Sequence, residues 1–502
     1  MNRADLVIFL AYILGVFILG MWLRRRRKVV PDVFTADRSM GWFPIGLSVM
    51  ITLFSAVNFL AFPTEVIEHG LYVLAALPVF VLVAIPITRI FIPFFFEMRL
   101  TSVYAYLENR FDRRVRLLAS GLFILWRLFW MATALYASAL VLGMLTDIPV
   151  WVLIAVAGGV AAFYTAVGGI RAVMWTDVAQ FFILLGSIAA SLWIAVRAYP
   201  DGWTAIWHTA MANDQLRPFV PFDPTFLSWR PDIRITLWSG LIGTFVAFLT
   251  RYGADQMVLQ RYFTARSLQA VVRGFWWNVI AALFALLLLV LFGLAIATTF
   301  GDASTPAMAR FGSFARTLPY GLTGLLAAGL LAATMSSVDS GLNACLASWM
   351  TDFEGRSPDA IMSRRQDRRY QLLVMCLALA TILLAYVVGQ TGDLFSIVNR
   401  IVNGVGSPLL AIILLGMFSQ RCNARGAWVG GGIGAVASLV ISFGWEGLSL
   451  HYYAVANLIV TLLACAIASA FFARHHPVTA AQRAWTWRAR NHAVAKSDDI
   501  AT

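Results

Sequence analysis

Charge is what this sequence has least of. Asp, Glu, Lys and Arg make up 13% of its 502 residues, while 60% are hydrophobic and the mean hydropathy is +0.77. Ordinary globular domains carry about 25% charge. The shortage excludes a water-soluble fold and leaves an integral membrane protein. Acids are the rarer sign, 25 against 38 basic residues, for a net charge of +13. The arginines sit in short segments between apolar runs, so topology explains them better than a nucleic-acid partner does. Cysteine is scarce: Cys345, Cys376, Cys422 and Cys465 form no CxxC pair, which excludes a disulfide framework and a zinc site. No GxSxG, Walker A or dinucleotide fingerprint occurs, and no nucleophile has a base beside it, so the chain is not read as an enzyme. The first apolar run, 6–23, is followed by Arg-Arg-Arg-Arg-Lys, whereas a signal peptide carries its positive charge first. It reads as an uncleaved first helix.

Long hydrophobic runs are what is there. Taking about 20 residues per span, about thirteen candidates follow one another: 5–23, 42–62, 72–96, 116–145, 149–168, 174–198, 235–252, 271–299, 319–349, 370–388, 394–418, 427–445 and 452–473. With the N-terminus outside, the segments assigned to the cytoplasm hold about 28 of the basic residues and the opposite side about 7. N-terminus outside and C-terminus inside is therefore expected. Two external connections are long, 199–234 and 300–318, and are expected to carry short surface helices. The tail from 474 is too short for a kinase or receiver module. Five spans in 42–198 and five in 235–418 run in opposite senses, so the second set reads as an inverted copy of the first. The remaining parts are an extra first helix and basic loop, 1–41, the external loop 199–234, two added helices in 419–473, and a basic tail, 474–502.

Polar residues inside these runs mark the functional part. The stretch 324–349 carries Ser-Ser-Val-Asp-Ser at its centre, and 3.6 residues per turn places Ser336, Asp339 and Ser340 on one face. A carboxylate near the middle of a bilayer costs about 2.5–3.5 kcal/mol unless paired, so this face calls for a cation. Hydroxyl and carboxylate oxygens are the ligands a hard cation takes. Thr52-Leu-Phe-Ser-Ala-Val-Asn58 interrupts the first helix of the first set. The glycines and threonines of 240–253 stand in the corresponding helix of the second. Both permit backbone unwinding that frees carbonyls for a cation; close helix packing through small residues is the alternative. Glu65, Glu68 and His69 form a cluster that reads as a solvated loop rather than a metal site. His475-His476 reads as tail. Most tryptophans read as interfacial belts, with Trp229, Trp238 and Trp276 as candidates for lining a vestibule.

Three stretches resemble the sodium/solute symporter family, which includes sodium-coupled sugar, proline, pantothenate, sialic acid, iodide and monocarboxylate carriers. Residues 164–180, Tyr-Thr-Ala-Val-Gly-Gly-Ile-Arg-Ala-Val-Met-Trp-Thr-Asp-Val-Ala-Gln, resemble its Gly-Gly turn and Thr-Asp-x-x-Gln helix start. Residues 416–430, from Gly-Met-Phe-Ser to Trp-Val-Gly, resemble its glycine-rich second signature. Ala333-Thr-Met-Ser-Ser337 resembles its sodium-site motif. The likeness runs from about residue 6 to about 473. The stretch 44–65 looks most like the iodide, monocarboxylate and multivitamin carriers. The resemblance implies an all-α membrane fold of about thirteen helices with a LeuT-type inverted repeat of five and five.

It also implies sites. The first sodium would be held by the carbonyls of Ile51, Phe54 and Ala333 and the hydroxyls of Ser336 and Ser337. A second sodium, which some members hold, would fall to Asp177, Ser336, Asp339 and Ser340. Asp339 stands where such members have a hydroxyl or small residue; it either strengthens that site or pairs with an arginine. Substrate contacts would come from Thr52, Ser55, Asn58, Phe248, Arg251, Arg127, Asn399 and Asn403. Arg251 replaces the family's aromatic gate, which leaves Phe248 or Tyr252 as the gate. Arg127 lies about one turn from where sialic acid carriers place an arginine, and Arg400 is a third arginine in the spans. For all three, snorkelling or pairing with an internal acid stands as the alternative.

The expected function is sodium-coupled symport of a small anionic solute, such as a monocarboxylate or sugar acid, across the inner membrane. Sodium would be co-transported. The partners are the solute and the lipid bilayer, with no nucleic acid and no obligate protein partner. A carrier of neutral sugars or proline, a proton-coupled carrier, and a receptor or leak channel remain as alternatives.

Overall fold

An apolar run that has only lipid around it must satisfy its own backbone, and helix is the form that does so within one segment. The computed structural model describes residues 2–25, 34–146, 148–300, 305–355, 364–390, 404–445 and 447–490. The described residues are helical apart from turns and two isolated β-bridges. Helix α1 spans Arg3–Arg25, α2 Trp42–Leu53 and α3 Ala56–His69. A 3-10 stretch, Gly70–Ala76, then leads to α4, Pro78–Pro86. Next come α5, Arg113–Thr146, and a long helix that bends at Gly169, where φ is +64°. We number its parts α6, Val150–Phe163, and α7, Gly169–Arg197. The later elements are α8 (Thr244–Gly253), α9 (Gln256–Phe263), α10 (Leu268–Thr299), α11 (Leu322–Ser348), α12 (Arg364–Val388), α13 (Gly404–Phe418), α14 (Ala424–Gly444) and α15 (Tyr452–Phe472).

Among the described residues, eight stretches are long and apolar enough to cross a membrane as they stand, and Trp42–Leu53, Val150–Phe163 and Val405–Phe418 are shorter apolar helices. The difference from the thirteen apolar runs has physical causes. Run 42–62 is cut in two between Leu53 and Ala56. Run 235–252 passes through a π-helical turn, Ser239–Gly243, and stays helical, so the unwinding expected there takes the form of a widened turn. Run 394–418 lies partly outside the described residues. The connection 253–270 departs most from expectation. Asp255 caps α9 by accepting from the Met257 amide at 2.9 Å, and every residue of α9 is buried. The two long connections carry short helices, Trp203–Ala212 and Ala307–Thr317.

The centre of the bundle is α11. Of its most apolar window 83% is buried, against 28% for α15, so α11 is enclosed by protein while α15 faces outward. Small residues permit that enclosure. A Cβ on Gly329 would come within 2.1 Å of Ser187 Oγ on α7, and one on Gly324 within 2.3 Å of the Asp5 carbonyl on α1. The first turn of α11 also takes its cap from α1: Asp5 Oδ1 accepts from the amides of Gly321 (2.7 Å) and Gly324 (3.2 Å). Replacing a capping carboxylate typically costs about 0.5–2 kcal/mol. Asp5→Ala is expected to lower the unfolding midpoint of the purified protein, and Asp5→Asn to lower it less. Equal midpoints for all three proteins would show that the cap carries no stability.

Candidate functional site

The site begins where α2 stops halfway along an apolar run. Phe54 N–H still reaches Met50 O at 2.9 Å, but the Ser55 amide turns away and donates to Asn58 Oδ1 at 3.1 Å. Ile51 O thereby loses the amide that would close its helical turn. Ser55 Oγ accepts from Val57 N–H at 3.2 Å, so Ser55 and Asn58 form a capping box that starts α3. The carbonyl end of α2, with its partial negative charge, and the amide end of α3, with its partial positive charge, thus meet inside the bundle.

Against this break lies α11. Ser337 Oγ donates to Thr52 O at 3.1 Å. Ser336 Oγ donates to Asp177 Oδ1 at 2.6 Å, and Ser48 Oγ to Asp177 Oδ2 at 2.5 Å. The other side of Asp177 is occupied by Arg261 of α9: Nη2 stands 3.0 Å from Oδ2, and the same nitrogen donates to Ser340 Oγ at 2.5 Å. Arg261 Nε donates to Ser48 Oγ at 2.7 Å. Thr52 Oγ1 lies 3.2 Å from Ser340 Oγ and 3.4 Å from Asp177 Oδ2. Asp339 accepts from Ser340 Oγ at 3.2 Å through Oδ1, while its Oδ2 is buried without a partner. Of two carboxyl groups and one guanidinium, all fully buried, the Asp339 carboxyl is left without a basic partner among the described residues.

Asp177, Ser336, Asp339 and Ser340 are therefore together, as the sequence suggests, but an arginine shares the cluster. It pairs with Asp177 and not with Asp339. Arg261 lies in a stretch taken as a cytoplasmic connection, where nothing in hydropathy distinguishes it from the surrounding basic residues.

Beside the break is a cavity of about 110 Å³. Its walls include Phe54, Val57, Phe80 and Phe248, and its polar residues are Asn58, Thr244, Arg251, Tyr252, Asn278 and His451. Of the proposed solute contacts, Asn58, Phe248 and Arg251 line it. Thr52 and Ser55 do not: the first is bound into the Asp177 cluster and the second caps α3. Arg127 does not either, because its guanidinium is paired with buried Asp255, the N-cap of α9. Asn399, Arg400 and Asn403 lie outside the described residues. The aromatics proposed as a gate are in contact: Phe248 packs on Phe80 at 4.4 Å between centroids and on Tyr252 at 6.1 Å. Arg251 lies over Trp130 and Phe248, at 5.6 and 5.7 Å from the ring centroids. Glu65 is not solvated. It is 2% exposed and accepts from Nε and Nη2 of Arg234, at 3.0 and 2.8 Å. Trp229 stacks on Trp238 at 4.2 Å. Thr244, Asn278 and His451 were not singled out from sequence. Asn278 had a signal, a single amide in the apolar run 271–299; His451 had none.

A profile of the sodium:solute symporter family matches residues 33–434. This chain belongs to that family. Several of its branches resemble the chain. The sodium-dependent multivitamin transporter of Oryctolagus cuniculus is 30% identical over 469 residues, 89% of this chain and 70% of that one. The sodium/sialic acid symporter SiaT of Proteus mirabilis is 27% identical over 487 residues, covering 93% and 95%. The sodium-coupled monocarboxylate transporter 1 of Xenopus laevis is 29% identical, covering 85% and 68%. The structure of a substrate-bound, outward-open sodium-coupled sialic acid symporter superposes with a TM-score of 0.84 at 25% identity, over 94% of this chain and 98% of that one. Mhp1, a nucleobase-cation-symport-1 transporter, shares the fold at a TM-score of 0.59 and 14% identity, over 91% and 98%. The protein is thus a multi-pass membrane transporter and not an enzyme, with an all-α fold related to these carriers. It performs sodium-coupled secondary active transport of a small organic solute.

Two outcomes follow from the geometry. Ser337→Ala removes the hydroxyl that ties α11 to the carbonyl end of α2, and is expected to raise the sodium concentration needed for half-maximal uptake while the protein stays folded; an unchanged sodium dependence would separate Ser337 from the ion. Arg261→Leu strands Asp177, a change that typically costs about 3–5 kcal/mol. Adding Asp177→Asn in the same chain is expected to restore much of the lost thermal stability. No recovery in the double variant would mean that Arg261 acts through packing rather than charge.

Proposed function

We propose that the transported solute is a small organic anion with one carboxylate, held in the cavity beside the α2–α3 break with Arg251 as its receptor. The observation that carries this reading is a contrast among arginines. Arg127 and Arg261 are paired with Asp255 and Asp177, and Arg110 and Arg310 donate to backbone carbonyls. Arg251 lines the cavity and has aromatic faces beside it but neither an acid nor a hydrogen-bond acceptor among the described residues. A guanidinium in an apolar cavity is offset best by a carboxylate, which it binds through two parallel hydrogen bonds. The amide end of α3 adds positive potential on the same side. Two of the relatives are named for acids, monocarboxylates and sialic acid.

Sodium, the co-transported substrate, is assigned to the carbonyls of Ile51, Phe54 and Ala333 with the hydroxyls of Ser336 and Ser337. Bound there, it would hold α11 against the break and so fix Asn58, which caps α3 and lines the cavity. Ion and solute would then share one coupling free energy. The unpartnered carboxyl of Asp339 supports a second monovalent cation, sodium or a proton; the sialic acid symporter structure is itself described as revealing a novel Na⁺ site. An inverted repeat of five and five, the N-terminus outside and residence in the inner membrane complete the reading.

Thermal unfolding in sodium and in choline, across monocarboxylates, sugar acids, neutral sugars and amino acids, tests it. A ligand at 100 times its dissociation constant stabilises by about 2.7 kcal/mol. Carboxylates are expected to raise the midpoint only with sodium present. Loss of the guanidinium in Arg251→Gln, worth about 2 kcal/mol or more, should weaken them at least about 30-fold. A neutral sugar that binds with sodium and is indifferent to Arg251→Gln would overturn the anion reading.

A further inference from the structure

The cavity holds more unmet polar groups than an anion alone explains. Asn58 and Tyr252 are accounted for: Asn58 Oδ1 accepts from the Ser55 amide, and Tyr252 Oη accepts from Asn278 Nδ2 at 3.3 Å. Three atoms are left buried with no hydrogen-bond partner among the described residues, Thr244 Oγ1, Asn278 Oδ1 and His451 Nε2. They come from α8, α10 and the residue before α15, and all three side chains line the cavity. A buried polar atom without a partner costs about 1–3 kcal/mol. Three on the walls of one cavity are poor structure and good recognition.

His451 is held there by its backbone. The turn before α15 is pinned to the segment that enters α8: Ser449 N–H donates to Pro231 O at 2.6 Å, and Ser449 Oγ to Arg234 O at 2.8 Å. Arg234 is in turn clamped by Glu65 at the end of α3. On the other side, Gly243 gives the room. A Cβ at that position would come within 2.2 Å of His451 O. The imidazole therefore enters from the turn before α15, whose backbone is fixed against Gly243 at the start of α8, one residue from Thr244.

We propose that Thr244, Asn278 and His451 read a hydroxyl group on the solute, so that the substrate is a short hydroxylated monocarboxylate; this rests on the anion reading of Arg251. Asn278 Oδ1 only accepts, so the group facing it must donate. Thr244 Oγ1 and His451 Nε2 each donate or accept according to rotor and tautomer. A hydroxyl meets both demands, donating to the amide oxygen and accepting from one of the others. An ammonium would donate too, but no Asp or Glu lines the cavity to balance its charge, which disfavours amino acids. The cavity of about 110 Å³ favours a compact solute.

Sodium-driven uptake into proteoliposomes, with propanoate, 2-hydroxypropanoate, 3-hydroxypropanoate and 2,3-dihydroxypropanoate as probes, tests the proposal. A site built to bind a hydroxyl rejects the analogue lacking it, by factors of about 10⁴ in strong cases. The wild-type protein is expected to favour at least one hydroxylated acid over propanoate in kcat/KM by about 10-fold or more. Thr244→Val and His451→Phe should each reduce that ratio, and His451→Gln, which keeps a polar group, should retain more of it than His451→Phe. A merely structural role would lower both acids together and leave the ratio standing. Wild-type uptake of propanoate and its hydroxylated forms at equal efficiency would overturn the hydroxyl proposal alone. If no acid in the panel is taken up and a neutral solute is, both it and the Arg251 reading fall.

Discussion

A helix that ends inside an apolar environment leaves carbonyls at one terminus and amides at the other with no water to accept them. That constraint, set by the break between Leu53 and Ala56, organises everything around it. The amide end of α3 is closed locally, because Ser55 and Asn58 supply a capping box from within the chain. The carbonyl end of α2 has no such device. It is met by Ser337 from α11 through Thr52 O, and Ile51 O is left over once the Ser55 amide has turned away. The surplus is negative, and the carboxylates of Asp177 and Asp339 deepen it. On the proposed sodium assignment, cation binding is a consequence of where a helix stops.

Arginines show how the rest of the interior is kept neutral. Each fully buried one is tied to a partner suited to its place: Arg110 to the carbonyls that end α13, Arg127 to the cap of α9, Arg261 to the cluster under the break. Burying an ion pair is costly, and removing one member of it costs more than the pair returns. The interior therefore holds few charges, and most of them are met by an opposite charge or by backbone dipoles. Asp339 and Arg251 stand out among the described residues because neither has an ionic partner, and they are of opposite type. One lies on α11, against the break, and the other lines the cavity.

Much of this was legible in the residues. Hydropathy located the apolar runs, because a lipid environment selects composition directly, and the polar interruptions at 52–58 and 336–340 marked the break and the helix facing it. Local patterns also carried the family. Pairings across the bundle were not legible. Arg261 and Asp255 sit in a stretch of ordinary connection-like polarity, and only the burial of α9 brings them against Asp177 and Arg127. Glu65 looked solvated because its partner, Arg234, is 169 residues away. His451 is separated from the cavity by sequence that reads as an external loop, and what places it is a backbone contact with Gly243. Such contacts depend on two distant segments at once, and no spacing rule along one chain reports them.

The shortness of α9 has a mechanical meaning. Within eight residues and one cap it presents an acid to α5 and a base to α7, and both pairs are buried. Pulling one end of such a segment away from the bundle strips its pair while the other still holds it. Lifting the whole segment strands two buried charges, Arg127 and Asp177, and costs more again. The helix is thus riveted at both ends, and the rivets hold neighbours that the chain itself leaves far apart.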